Sequence, residues 1–322
     1  MAPQMAVSAT GRRYPVARQT PGPTEGNALT DTTRDQLDGR DELHVYAAGR
    51  HGLPNLRQYV RDLMARWPFA AEFSRSSIRS ANTDTVFGQL WLIINPTLLA
   101  VVYFILIVII TGQSITSGGS TLVQICCGLF LFTLVQGAAS SGAGSVTGGG
   151  ALISRMAFPR LLMPLAAVRT SLFRFLPTLP VFLVLKVVLT DSPWGWPMVL
   201  AVYFLAMMVV FSCGLAAFMA ALQVYFRDAA SFLPYFLRIW MYLSPVLWSP
   251  ARFQPGGRNG DLYSMMLLNP MFSICGGWSD TLMEARLPAP EMFLVSLGWS
   301  ILVFVLGSLF FVSRERDFSV RI

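Results

Sequence analysis

The chain has 322 residues, of which 54% are hydrophobic and only 13% charged, whereas a soluble surface needs about a quarter of its residues charged. The charges are also unevenly placed: residues 1–87 hold 11 of the arginines and 9 of the carboxylates, close to half of the total. A polar preface therefore precedes a body too apolar for a water-soluble fold and too interrupted by Gly and Pro for one long core, which leaves a polytopic membrane protein. The net charge of +7 rests on arginines and a single lysine, Lys186. In the preface they are interleaved with acids rather than gathered in a stripe, which argues against a nucleic-acid partner. The 4 cysteines form no C-x-x-C pair, so neither a zinc site nor a disulfide framework is indicated. The first 30 residues lack the apolar run of a secretory signal.

In chain order, residues 1–50 have the composition of a disordered cytoplasmic tail. Residues 51–87 form an amphipathic helix and a connector. Leu56, Tyr59, Val60, Leu63, Met64 and Trp67 recur at helical steps while Arg57, Arg61, Asp62 and Arg66 take the other faces, a pattern that suits the headgroup layer. Residues 88–322 then offer six spanning segments: Gly88–Thr111, Leu122–Ser141, Leu161–Leu189, Pro197–Leu222, Ala229–Trp248 and Met292–Val312. The long loop between the fifth and sixth is apolar but broken at Asn269-Pro270 and Gly276-Gly277, which predicts a re-entrant helical hairpin whose breaks are satisfied by protein. The expected fold is all-α, with six spans, an interface helix and that external hairpin.

Orientation follows from the short loops. Arg75, Arg79, Arg155, Arg160, Arg227, Arg314, Arg316 and Arg321 fall on the side of the termini, against Arg252, Arg258 and Arg286 on the other. Both termini are thereby expected in the cytoplasm, and Trp194, Trp196 and Trp248 in an outer aromatic belt.

A transporter needs an energy source. Lys186 lies in LVLKVVL, outside any Gly-rich loop, so no P-loop is present. The six segments contain no Asp, Glu or His, the groups on which proton or sodium coupling relies. Energy must then come through a partner. The charges inside the spans are basic. Arg169 and Arg174 are read at the cytoplasmic interface, Lys186 as snorkelling outward, and Arg238, halfway along the fifth span, as the costliest and so the best functional candidate.

Four stretches carry a resemblance. TVFGQLWLIINP (Thr85–Pro96), LISRMAFPRLLMPLAAV (Leu152–Val168), YFRDAASFLPYFLRIWMYLSPVLWSP (Tyr225–Pro250) and Asn269-Pro270 resemble, in order and spacing, the permeases of type-2 ABC exporters. The polysaccharide-exporting, Wzm-like permeases are the nearest group. Phe87 stands where Leu is usual, and the preface has no counterpart. The resemblance implies a homodimer in the inner membrane with two copies of a separate ATPase that binds ATP and Mg, no cofactor on this chain, and a lipid-linked polysaccharide as cargo. Arg in place of Lys and abundant Ala and Gly point to a GC-rich genome, which makes a cell-wall galactan one candidate cargo and an O-antigen-like glycan another. The rivals are a drug or small-lipid exporter and a polytopic enzyme acting on lipid-linked sugars, the latter drawing on Asp191, Asp261, Asp280 or Glu284.

Three groups of residues are singled out. Leu152, Ile153, Arg155, Phe158, Pro159 and Arg160 form a short segment with apolar knobs and cations that suits a groove on the ATPase; the other reading is an ordinary positive-inside loop. Phe232, Tyr235, Ile239, Tyr242 and Val246 fall on one face of the fifth span, where aromatic rings could pass sugars by stacking or could simply pack. With Arg238, and with Trp91, Asn95 and Tyr103 added by the resemblance, they make the expected conduit. Arg227, Asp228, Pro245, Asn269 and Pro270 are expected to shape or gate it, with Asp228 favourable at a helix N-terminus.

Overall fold

The structure is a computed structural model that describes residues 5–7, 13–15, 55–80, 85–112, 118–149, 158–253 and 262–318. Contacts divide the chain into residues 1–51 and 52–322. In the first unit, β1 (Met5–Val7) pairs antiparallel with β2 (Arg13–Pro15). The second is helical among the described residues: α1 (Leu56–Ala65), α2 (Trp67–Ser80), α3 (Trp91–Thr111), α4 (Gly119–Gly148), α5 (Leu162–Phe175), α6 (Thr178–Leu189), α7 (Ala201–Tyr225), α8 (Ala229–Tyr242), α9 (Tyr263–Met266), α10 (Pro270–Met283) and α11 (Pro290–Arg314).

Among the described residues, five segments are long and apolar enough to cross a membrane: Gly88–Thr111, Gly119–Gly148, Leu162–Leu189, Trp196–Tyr225 and Pro290–Asp317. The third is broken at Leu176-Pro177, where prolines 177 and 180 remove helix donors. The expected fifth span is shorter than the sequence reading. Helix α8 has 14 residues, about 21 Å at 1.5 Å per residue, against a hydrocarbon core of about 30 Å. It stops because Pro245 has no N–H and turns Ser244 away from the α conformation; residues 243–248 run on as turns and bends. Val246 is consequently not on the aromatic face of α8. It is buried with its backbone against Gly128 of α4.

Helix α4 is the central post, buried for most of its length. At its upper end Gly119 meets Leu189 of α6, and at its lower end Gly149 meets Met163 of α5. Helices α7 and α11 lie parallel. Tyr203 donates to the Phe293 carbonyl at 2.7 Å, Ser300 to the Met207 carbonyl at 3.0 Å and Tyr225 to Asp317 at 2.9 Å. Their backbones touch at Gly214 and Gly307, where a Cβ on either would overlap the other helix. Because α8 begins where α7 ends, and α11 begins beside the start of α7, residues 229–289 must return the chain from the lower end to the upper.

The last part of that return is a descent and an ascent. Tyr263 clusters with Met292, whereas the Leu267 carbonyl accepts from Trp299 at 3.2 Å, seven residues or about 10 Å deeper along α11. Helix α10 then climbs back, with Gly276 again beside Met292. Every residue from Met271 to Met283 is buried, so its polar groups need partners. Trp278 donates to the Cys127 carbonyl at 3.1 Å, and Ser279 pairs with Gln124. Cys275 is buried on this helix with a free thiol.

Lys186 does not snorkel. It is buried, donates to the carbonyls of Leu282 at 2.6 Å and Pro193 at 3.0 Å, and lies over the Trp194 ring. It thus satisfies the end of α10, where helix carbonyls have no partners of their own. Trp194 and Trp196 are exposed, while the Trp248 indole packs on Phe253 and Phe272.

Candidate functional site

Helix α8 is two-faced. Leu233, Leu237 and Met241 pack inward, whereas Phe232, Tyr235, Ile239 and Tyr242 are 66%, 67%, 59% and 47% exposed. The aromatic stripe therefore contributes little to packing within the chain. Phe232 stacks on Phe236, and Arg238 is exposed beside them. At the upper end of the stripe the hydroxyls of Tyr103 and Tyr242 are 3.4 Å apart with their rings edge to face. That contact joins α8 to α3, whose Leu98, Val102, Ile105, Ile109 and Ile110 are likewise exposed. Each of the two helices thus leaves one side uncovered, and the Tyr103–Tyr242 pair joins them.

Trp91 and Asn95 lie elsewhere. They line a cavity of about 390 Å³ between α3, α4 and α5, together with Thr133, Ser171, Arg174 and Thr178. Of the expected conduit residues, then, Tyr103 and Tyr242 meet directly, Phe232, Tyr235 and Arg238 share the α8 face, and Trp91 and Asn95 belong to a separate cleft.

Leu152, Ile153 and Arg155 fall outside the described residues. Phe158 is half-buried against Phe69 of α2, ring centroids 5.6 Å apart, and Pro159 is half-buried beside it. Arg160 is engaged within the chain. Its backbone N–H donates to the Glu315 carboxylate at 2.6 Å and its guanidinium to the Glu315 carbonyl at 2.6 Å. The same carboxylate accepts from the Tyr59 hydroxyl at 2.6 Å. Burial and the neighbouring carboxylate hold the Tyr59 phenol above its ordinary pKa, so it stays a donor. One carboxylate thus ties α1, the segment before α5 and the end of α11 together. Nothing in the sequence reading found Glu315; the available signal was a lone acid between Arg314 and Arg316.

Arg227 and Asp228 are exposed. Asp228 occupies the N-cap of α8, its side chain making no capping bond while its carbonyl accepts from Ser231 and Phe232. Pro245 is buried in the turn after α8. Asn269 does the most connecting. Its side-chain oxygen accepts from Met271 N–H at 3.1 Å and from the Trp240 indole at 2.9 Å, and its amide donates to the Leu243 carbonyl at 3.1 Å and to Ser244 at 3.3 Å. Pro270 follows at the first helical position, where its missing N–H costs nothing. Asp280 and Glu284 both pair with Arg286, at 2.6 and 3.0 Å, which commits them to holding the loop after α10.

No family model matches the chain. Among curated proteins it is 26% identical over 260 residues to the O-antigen export system permease protein RfbA of Myxococcus xanthus, covering 81% of this chain and 97% of that protein. Two proteins of the same name from Klebsiella pneumoniae are 25% identical over 213 residues, covering 63% of this chain and 76% of theirs. The chain, with five apolar helices among its described residues, is therefore similar over four fifths of its length to an O-antigen export system permease protein.

Proposed function

We propose that the chain is the permease subunit of an ATP-driven exporter that moves a lipid-linked polysaccharide across the inner membrane, as a homodimer served by two copies of a separate ATPase. The observation that carries this reading is the similarity to O-antigen export permeases over 97% of the Myxococcus protein. The cargo is a glycan of O-antigen or galactan type. The uncovered sides of α3 and α8 support it. Stacked rings with phenol hydroxyls at their edges suit sugars, which are apolar on their ring faces and polar at their rims, and a second copy facing the first would enclose them.

The topology proposed is six spans with cytoplasmic termini. The parallel run of α7 and α11 supports a crossing between them, made by α8 and the turn after it. The descent to Leu267 and return along α10 supports a re-entrant hairpin from the outer side. On α1 and at the first residue of α2, Leu56, Val60, Met64 and Trp67 stay exposed while Tyr59 and Leu63 pack on the bundle, which supports an interface helix with its apolar row in the headgroup layer. The lower end, with Phe158, Arg160 and Glu315, is where the ATPase docks.

Deleting the gene tests the reading. Lipid-linked polysaccharide should accumulate inside the cell, inaccessible to an external glycosidase, while assembly of the glycan continues. Normal surface glycan in the deletion strain would refute it.

A further inference from the structure

The cavity at Trp91 is one of two that meet at a single side chain. The second, of about 440 Å³, is lined by Ser77 of α2, by Ser141, Gly144 and Ser145 of α4, and by Met163 and Thr170 of α5. Arg174 alone lines both. Its Nε is buried without a hydrogen-bond partner, and none of the ion pairs among the described residues includes it. The neighbouring cations are engaged: Arg169 donates to the Ala71 carbonyl at 2.8 Å and stacks on Phe173, and Lys186 holds the end of α10. The hydroxyls of Thr133 and Ser171 donate to carbonyls of their own helices, and that of Thr178 donates to the Phe175 carbonyl at the end of α5. The guanidinium is thus an uncommitted donor, half-exposed in the cleft with its Nε shut away from water, and a donor left so is costly unless an acceptor completes it.

Depth indicates which acceptor. Helix α3 has 21 residues, about 31 Å, which matches the hydrocarbon thickness. Its first residue, Trp91, marks the lower boundary. Arg174 reaches both the Trp91 cavity and the one lined by Gly148 and Gly149 at the lower end of α4, which puts it toward the lower headgroup side, where lipids carry phosphate. A guanidinium presents a planar fork of donors that fits phosphate oxygens in pairs. On the membrane side the exposed Leu99 and Val102 of α3 can carry acyl or prenyl chains. On the other side the second cavity, where Ser77, Ser141 and Ser145 stand among Phe73, Met163 and Ala167, leaves room beyond the phosphate with both hydroxyls and apolar surface, which a bare phospholipid headgroup does not need and a sugar attached to that phosphate does.

We propose that Arg174 is the binding site for the phosphate of a lipid carrier, which enters from the inner leaflet through the cleft between α3 and α5 with its glycan directed into the lower cavity. The assignment of that lipid as cargo rests on the export function proposed above.

The test uses the full-length permease with its ATPase in phosphatidylcholine nanodiscs, and a radiolabelled polyprenyl diphosphate as probe. Wild type should bind it. Arg174→Gln should weaken binding about tenfold or more, the loss of a charge-assisted bond, with Arg174→Lys intermediate. Arg169→Gln, whose guanidinium is committed to Ala71, should bind as wild type. Thermal unfolding measured on each variant separates lost binding from lost fold, and the lysine variant carries the test should the glutamine variant not fold. Wild-type affinity in both Arg174 variants would overturn the site. Equal displacement of the probe by phosphatidylglycerol would overturn the cargo assignment in favour of a bilayer lipid, and equal displacement by inorganic diphosphate would do so in favour of a free anion. Glycan export by the same preparations separates the two readings. Export with Arg174-independent binding removes the site and leaves the function. Arg174-dependent binding without export in wild type removes the function, and the cargo assignment with it.

Discussion

Replacing Asn269 by Ala should destabilise the protein by about 3 kcal/mol. The figure is built from the four bonds the side chain makes. Losing the N-cap of α10 costs about 1 kcal/mol. The bonds to Trp240, Leu243 and Ser244 contribute about 1 kcal/mol each at most, with some loss of additivity because they share one residue. Thermal unfolding of the purified protein in nanodiscs should show Tm lowered by roughly 6 °C or more. Asn269→Asp keeps the oxygen that caps α10 and accepts from Trp240, but turns a carboxylate oxygen on the Leu243 carbonyl, so it should not restore the wild-type value. Asn269→Ser retains the cap alone and should recover about 1 kcal/mol. A double-mutant cycle with Trp240→Phe isolates the indole bond and should return a coupling of about 1 kcal/mol. Strict additivity in that cycle, or an Asn269→Ala cost below about 1 kcal/mol, would refute the claim that this side chain fastens the hairpin to α8.

Other perturbations follow from the same geometry. Glu315→Ala removes the acceptor for Tyr59 and for Arg160 N–H and should cost about 2–4 kcal/mol; the accompanying release of α1 should appear as faster proteolysis between residues 55 and 65, and Tyr59→Phe should give a smaller change in the same direction. Gly307→Ala would overlap the Gly214 backbone and should cost about 1–3 kcal/mol, whereas Gly298→Ala on the same helix meets open space and should be neutral within about 0.5 kcal/mol in the same unfolding assay. Tyr235→Ala, on the uncovered face, should leave Tm within the range of an ordinary surface change while slowing export; unchanged export per folded complex would show that the stripe does not meet the cargo.

The spans were legible because a run of apolar residues about 30 Å long is a one-dimensional signal, and α3, α4, α7 and α11 all carry it. Helix α8 was overread because its apolar run continues through Ser244-Pro245, and only the backbone shows that Pro245 ends the helix there. The same turn removes Val246 from the aromatic face, although its spacing in the sequence places it there. Lys186 reads as a snorkelling residue from its position near a helix end; that it reaches inward depends on the carbonyls of Leu282 and Pro193, which lie on other segments. Arg160 can be placed in the loop before α5 from the sequence, but its hold on Glu315 cannot, because that partner is 155 residues away. Asn269-Pro270 was found as a motif, but its function as a four-way tie depended on Trp240 and Leu243 coming beside it. In each case composition located the element and a long-range partner decided its use.

Export is tested most directly by co-reconstituting the permease with its partner ATPase in proteoliposomes that hold lipid-linked polysaccharide on the ATPase side. The glycan should appear on the opposite face in an ATP-dependent manner, abolished when the ATPase is inactivated and slowed by Tyr235→Ala. ATP hydrolysis in a correctly assembled complex with no glycan translocated would contradict it.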